Sequence, residues 1–283
     1  MAKVKLSFFR MIRSEWIKIF SVRSTWWVML VCILINIALS CAFAASIQYT
    51  EFTIKQHPEL NIDPGDTFVS LSATVVMACG LLGQLVFMIL SVLIITNEYS
   101  TGMARSTFTV APRRIRVLIS KMFVLVILCT IVFAISVAAS WGLGYLILQQ
   151  STLVDLTLVS DTSLRILSGF LVKMILVALF CFGLGAMIRS SAGSIGTAVA
   201  IILVLPVIAS LSASMISGGG EPTGWREWIV NIGEFLPTNA GDLVTQDSPS
   251  SKFFGPWEGI GVLGVWAFLS LFISFIATAR RDL

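Results

Sequence analysis

The sequence predicts an all-α polytopic membrane protein, and three observations lead to this prediction. Hydrophobic residues make up 57% of the 283 residues, whereas charged residues make up only 12%. Soluble domains carry roughly a quarter charged residues, so this composition is typical of a protein that faces lipid. The apolar residues are gathered into six stretches, each long enough to cross a bilayer as a helix. Cations and acids occupy alternate connections between these stretches, as expected of a chain that crosses a membrane repeatedly.

The first 24 residues predict a helix that lies in the membrane interface. Apolar residues such as Phe8, Ile12 and Trp16 recur at spacings of three and four, and lysines and arginines fill much of the other face. Such a helix lies with its apolar face down and its cations at anionic headgroups. Binding to a calmodulin-like partner is the alternative for a basic amphipathic helix.

Six transmembrane helices follow within one membrane domain that covers residues 1–283. Cations concentrate in the N-terminal segment, in the 97–116 connection, at Arg189 and at the C-terminus, so both termini are predicted to be cytoplasmic. Pro206 predicts a kink in the fifth helix. The predicted spans cover residues 25–47, 68–96, 117–148, 164–188, 192–216 and 259–279.

The connections at 48–67, 149–163 and 217–257 are acidic and are predicted to lie outside. The last of these, the outer segment, contains a short amphipathic pattern over 225–235 that lies on or dips into the outer surface. Residues 189–191 form a tight cytoplasmic turn between two spans. Four glycines surround this turn and predict close helix packing; they are Gly183, Gly185, Gly193 and Gly196.

The basic connection at 97–116 is the most distinctive part of the chain. It carries four arginines against one acid, Glu98, and the break at Ala111-Pro112 predicts a new helix at the arginines that follow. We expect a short cytoplasmic helix here, held between two spans and placed to be pushed by a cytoplasmic partner. Alternatively, Glu98 and the arginines make only helix-end, topological or lipid-phosphate contacts.

No catalytic constellation appears in the sequence. Motifs for a phosphate-binding loop, a zinc protease and a serine hydrolase are all missing, so we predict neither enzymatic activity nor a bound cofactor or metal in this chain. The net charge of +4 follows from membrane topology and predicts no nucleic-acid partner. The five cysteines lie in apolar segments without CxxC spacing, which fits a bacterial inner membrane and no disulfide framework.

A few polar residues interrupt the apolar stretches. Asn36 and Gln84 are predicted to join helices through their amides. Lys173 lies deeper than a residue at a span end, so it snorkels, pairs with an acid or lines a polar cavity. Gln84, Lys173 and Pro206 are therefore the candidates for a transport pathway or for helix packing.

Four stretches of the chain resemble the permease subunits of type-2 ABC exporters. The N-terminal SEWIKIFSVRSTWW is similar to the interfacial helix and first span entry of bacterial members. NEYSTGMARSTFTVAPRRIRVLISK matches the family pattern at Glu98, Gly102, Pro112 and Lys121, with Arg114 or Arg116 as the family arginine. FGLGAMIRSSAGSIGTAVAIILVLP and EFLPTNAGDL resemble the fourth-to-fifth span turn and the segment before the last span. The four stretches occur in the family's order and cover nearly the whole chain.

The resemblance implies a permease paired with an identical or homologous permease and bound to two cytoplasmic ATPase subunits, which carry ATP and Mg. It implies that the segment from Glu98 to Pro112 is the coupling helix seated on the ATPase, and that spans two and five switch access from inside to outside. The candidate coupling residues are Glu98, Tyr99, Gly102, Arg105, Pro112, Arg113, Arg114 and Arg116.

The expected function is ATP-driven export of a hydrophobic or amphiphilic substrate such as a drug, peptide or lipid. A stand-alone channel or secondary carrier is one alternative, but it requires paired carboxylates or a polar stripe, which the spans lack. An intramembrane enzyme requires clustered His, Glu or Asp, which are also lacking. A sensory or scaffold protein with the permease fold remains the further alternative.

Overall fold

The computed structural model describes residues 8–56, 69–100, 114–149, 151, 154–155, 160–217, 225–246, 251 and 253–280. Within these residues the chain is helical apart from two short strands and a few connecting residues. The elements are α1 (Phe8–Ser21), α2 (Arg23–Gln56), β1 (Val69–Ser70), α3 (Leu71–Ser100), α4 (Arg114–Leu148), β2 (Val154–Asp155), α5 (Asp161–Ile188), α6 (Ser191–Val199), a π-helical turn (Ala200–Val204), α7 (Leu205–Ser217), α8 (Trp225–Glu234), α9 (Pro237–Asp242), a 3-10 turn (Leu243–Thr245) and α10 (Pro256–Arg280).

Five helices in the described part of the chain are long and apolar enough to cross a membrane. Four of them are α2, α4, α5 and α10, and the fifth is the continuous run of α6, the π-helical turn and α7. Helix α3 spans 30 residues and contains a shorter apolar stretch, Leu82–Asn97. The predicted membrane-protein character therefore agrees with the fold.

Helix α5 is the centre of the helical bundle, because it is the most buried of the five long helices and packs against both α3 and α10. Three aromatic rings join α3, α4 and α5: the Phe87 and Phe133 centroids are 4.5 Å apart, and the Phe133 and Phe170 centroids are 5.7 Å apart. The first pair is tilted and the second is edge-to-face, and close aromatic pairs of this kind stabilise a packed core.

Helix α9 and the following 3-10 turn lie between α5 and α10. A Cβ added to Gly169 on α5 would overlap Cγ2 of Val244, and one added to Gly259 on α10 would overlap the Ala240 carbonyl oxygen. The short segment therefore fits only because these two positions lack side chains. The Arg165 guanidinium donates to the Gln246 carbonyl at 2.8 Å and holds the end of the turn against α5.

Several helix positions predicted from the sequence agree with this architecture. The helices that begin within three residues of the six predicted span starts are α2, α3, α4, α5, α6 and α10, and α8 lies over the amphipathic pattern predicted at 225–235. The tight turn at 189–191 is also present, since α5 ends at Ile188 and α6 begins at Ser191. Arg189 forms this turn in the left-handed conformation, with φ of 61°, and its amide donates to the Gly185 carbonyl.

Other predictions need correction. The loop expected from residue 48 does not begin there, because α2 continues to Gln56. Glu51 stabilises this extra length: it pairs with Lys55 one turn later at 2.7 Å, and it accepts a hydrogen bond from Ser151. The predicted all-α class is confirmed for the described residues, and the two-residue strands β1 and β2, which pair in parallel where the chain enters α3, are a local addition to it.

The predicted glycine packing is only partly confirmed. A Cβ on Gly183 would overlap Oγ of Ser270, and one on Gly185 would lie 2.6 Å from Ile95 Cγ2, so both positions are helix contacts. A Cβ on Gly196 would meet no described atom within 4 Å, because α6 is not packed on that side by the described residues. The contacts of Gly193 are with residues of its own turn.

Candidate functional site

A cavity of about 590 Å³ lies where α3 and α5 meet the π-helical turn and the inserted α9. Helices α3 and α5, the π-helical turn, α7 and the inserted α9 form most of its wall. Most of this wall is apolar, with Val76, Leu85, Ile202 and Val207 among the lining residues. Its polar groups are side chains of Gln84, Lys173, Thr238, Asn239, Asp242, Thr245 and Gln246. This combination is typical of sites that bind drug-sized molecules with an apolar body.

The most polar part of the wall is an ion pair between α5 and α9. The Lys173 ammonium donates to Asp242 Oδ1. The lysine side chain is only 5% exposed, whereas the aspartate side chain is 38% exposed. Pairing removes the cost of an isolated buried cation, and the arrangement leaves the carboxylate as the group that a cavity ligand can reach.

A second cavity, of about 290 Å³, adjoins the first and extends along α7 and α8 toward Glu234 and Ser251. Asn239, Asp242 and Gln246 line both cavities. These three residues therefore form a polar boundary that the two cavities share.

The helix beside this wall is irregular. Leu205 donates to Ala200 five residues earlier, which defines the π-helical turn, and Pro206 follows directly. Such π-helical turns interrupt α-helices frequently at functional sites, and proline removes one amide donor. The π-helical turn therefore interrupts the fifth predicted span at the place where this span borders the cavity.

The end of α3, where the 97–116 connection begins, contacts the turn at 189–191. The Arg189 guanidinium lies 5.1 Å from the centre of the Tyr99 ring, and Ser191 donates to Thr96 at 3.1 Å. These contacts join the end of α3 to the start of α6.

A second buried ion pair attaches α1 to the start of α4. Lys121 donates to Glu15 at 2.5 Å, and both side chains are 4% exposed. Lys18 also contacts Glu15, at 2.8 Å. Burial raises the pKa of Glu15, but attraction to Lys121 and Lys18 outweighs it and holds that pKa below its usual value. Helix α1 is thus fixed to the helix that follows the basic connection.

The three predicted pathway residues, Gln84, Lys173 and Pro206, come from three separate helices and line the same cavity. Of the alternatives for Lys173, the structure shows pairing with an acid and a position on a cavity wall. Asn36 lies buried against Gly83 between α2 and α3, but its amide nitrogen donates to Cys32 Sγ within α2 and its Oδ1 has no hydrogen-bond partner among the described residues. It therefore packs between the helices without the predicted hydrogen bond between them.

The structure leaves the coupling segment only partly described. Glu98 and Tyr99 lie in the last turn of α3, Arg114 begins α4, and Arg116 is exposed on α4. Gly102, Arg105, Pro112 and Arg113 lie outside the described residues, as does the predicted short helix. Their predicted role in coupling stays a prediction.

Sequence reasoning missed Asp242, Thr238 and Glu15 as site residues. A signal for Asp242 was present: a lysine within a span requires a partner, and this aspartate follows a run of small and apolar residues. Thr238 had no such signal, because its hydrogen bond to the π-helical turn depends on a packing contact 36 residues away. A scan against protein-family models and a search of curated proteins found no match for the chain.

Proposed function

We propose that this chain is the membrane-spanning permease subunit of an ATP-driven exporter of a hydrophobic or amphiphilic substrate. The observation that carries the proposal is the pair of adjoining cavities separated by Asn239, Asp242 and Gln246 within a bundle of long apolar helices. Alternating access needs a substrate-sized space within the membrane domain that can open to either side, and the apolar lining suits an apolar or amphiphilic substrate.

In this proposal α3 also crosses the membrane as the second of six spans, both termini are cytoplasmic, and the protein resides in a bacterial inner membrane. Two cytoplasmic ATPases supply ATP and Mg, and a second permease, identical or homologous, completes the transporter. The 97–116 connection is the coupling segment. Its movement would pass through Tyr99 and Arg189 to α6 and the π-helical turn, which borders the cavity.

The first experiment is capture of an ABC ATPase encoded beside the permease, using the full chain in mild detergent. We expect stoichiometric capture by the native chain and a loss of capture, or of substrate-stimulated ATP hydrolysis, in Glu98→Ala and in Arg113→Glu with Arg114→Glu. The matched control is Arg10→Glu with Arg13→Glu, which reverses two exposed charges on α1. This control should bind the ATPase normally.

The outcomes separate the competing functions. If the native chain captures no ATPase, the exporter proposal fails, and reconstitution as a channel or secondary carrier is the next test. If the ATPase binds but neither its activity nor substrate movement responds in proteoliposomes, a sensory or scaffold role is favoured. Equal loss of capture in the α1 control would show that charge reversal acts on insertion and not on the coupling segment.

A further inference from the structure

We infer that the 590 Å³ cavity binds amphiphilic cations, with Asp242 as the group that recognises their charge. This inference rests on the proposed function and names the substrate class of the same cavity. The cavity volume falls within the range of about 300–1,000 Å³ that is typical of sites for drug-sized ligands. The apolar wall of the cavity accommodates the apolar part of a ligand. The remaining question is which charge the polar part of that ligand carries.

The two members of the ion pair differ in what they offer a ligand. The lysine side chain is enclosed at 5% exposure, and the aspartate side chain keeps 38% exposure and lines both cavities. Lys173 contacts Oδ1 of the carboxylate. A ligand in the cavity therefore meets the open side of a carboxylate before it meets an ammonium group, which favours a cation.

The neighbouring polar groups support the same ligand class. Gln84, Asn239 and Gln246 line the cavity with carbonyl-bearing amides, and Thr245 adds a hydroxyl. Each of these groups can accept a hydrogen bond from an amine. Lys173 is the cationic side chain among the described lining residues, and it is the least accessible part of the pair.

The inference can be tested with two probes that have the same shape and opposite charge. The full chain is reconstituted in nanodiscs without an ATPase, and binding of tetraphenylphosphonium and tetraphenylborate is measured against empty nanodiscs. We expect saturable, selective binding of tetraphenylphosphonium. Asp242→Asn should weaken this binding about tenfold or more, as expected when one of two close opposite charges is removed.

The lysine variant distinguishes recognition from a structural role of the pair. Lys173→Met removes a competing cation and should keep or tighten the binding of tetraphenylphosphonium. The double variant Lys173→Met with Asp242→Asn leaves no buried charge unpaired and should fold, and it should lose tetraphenylphosphonium binding as Asp242→Asn does. The double variant therefore keeps the test valid if Asp242→Asn alone does not fold.

Two results would overturn the inference. One is preferred binding of tetraphenylborate after subtraction of lipid partitioning, and the other is an equal loss of both probes in Lys173→Met and Asp242→Asn. Because no ATPase is present, the result is independent of partner capture. Failed probe binding with intact ATPase capture would reject only the cation site, and failed capture with intact probe binding would reject only the ATP-driven exporter.

Discussion

The hydroxyl of Thr238, on α9, donates a 2.8 Å hydrogen bond to the carbonyl oxygen of Ile202 in the π-helical turn. In a regular α-helix this carbonyl would accept from the residue four positions later, which is Pro206 and has no amide hydrogen. Thr238 therefore supplies a donor where the proline removes one. The position of the inserted segment and the irregularity of the neighbouring helix are coupled through this bond.

Removing the Thr238 hydroxyl should destabilise the protein measurably. Thr238→Val keeps the side-chain volume and should lower the free energy of unfolding by about 1 kcal/mol, the usual net value of one hydrogen bond. The measurement is unfolding in mixed detergent micelles. Ser210→Ala is the control, because its exposed hydroxyl donates to the Val207 carbonyl within its own helix and should matter less.

A double-mutant cycle tests whether the hydroxyl compensates for the proline. Pro206→Ala returns an amide hydrogen to the helix, so Thr238→Val should cost less in that background than in the native chain. The coupling energy between the two substitutions is the quantity to measure. Additive effects of the two substitutions would show that the Thr238 hydroxyl does not compensate for the proline and that its hydrogen bond is an ordinary one.

The insertion of α9 between α5 and α10 can be tested at one glycine. A Cβ on Gly259 would overlap the Ala240 carbonyl oxygen, and backbone at both positions would have to move. Gly259→Ala should therefore lower the free energy of unfolding by about 1–3 kcal/mol, as overpacking does, and weaken any ligand binding in the adjoining cavity.

The matched control lies two residues further along the same helix. A Cβ on Gly261 would meet no described atom within 4 Å, so Gly261→Ala should be neutral or stabilise the helix by up to about 1 kcal/mol. Thermal unfolding of the two variants in the same detergent provides the comparison. Similar losses in both variants would show that the close contact at Gly259 does not position α9.

Hydrophobic patterning predicted most of this fold because helix position depends on local composition. Neighbouring residues carry the signals for the starts of the helices at the six predicted spans, for the turn at Arg189 and for helix α8. The extension of α2 to Gln56 was not predictable in the same way. Its polar residues resemble a loop, and Glu51 is held in part by Ser151, 100 residues away.

The cavity also depends on contacts between residues that are far apart in the sequence, which local patterns do not predict. Gln84, Lys173 and Pro206 were identifiable because each is unusual within an apolar stretch. Their convergence on one cavity could not be predicted, because it depends on how three helices are rotated relative to one another. The partner of Lys173 is 69 residues away in a segment whose insertion depends on Gly169 and Gly259, and no local pattern specifies that insertion.

The contact between Tyr99 and Arg189 should contribute through the aromatic ring. Tyr99→Leu removes the ring under the guanidinium and should lower the free energy of unfolding by about 0.5–1 kcal/mol at this half-buried position. Tyr99→Phe keeps the ring and should have a smaller effect. Unfolding measurements on both variants, with and without Arg189→Lys, would show whether the two side chains are energetically coupled.

This linkage also has a functional consequence under the proposed mechanism. Tyr99→Leu should reduce substrate stimulation of ATP hydrolysis more than it reduces capture of an ATPase, since the ring contacts Arg189 in the turn that precedes α6. The comparison with Tyr99→Phe separates this effect from changes in the hydroxyl. A variant with weaker capture but normal stimulation would place Tyr99 in the ATPase contact and not in transmission.

The attachment of α1 through Glu15 should depend on pH. Folding lowers the pKa of Glu15 below its ordinary value of about 4.5, so the folded state favours the charged carboxylate. The stabilisation from this group is fully present above pH 4.5 and is lost as the pH falls through the lower pKa of the folded state. Native protein and Glu15→Gln should therefore differ most near neutral pH and converge in acid.

Two lysine variants separate the buried contact from the exposed one. Lys121→Met leaves a buried carboxylate without its enclosed partner and should cost about 3 kcal/mol or more near neutral pH. Lys18→Met should cost less than about 1 kcal/mol, because the Lys18 side chain is 44% exposed. The measurement is the free energy of unfolding against pH for each variant. Equal losses of unfolding free energy in Lys121→Met and Lys18→Met would contradict the attachment of α1 by a buried charge pair. A stability difference between native protein and Glu15→Gln that persists unchanged in acid would contradict it as well.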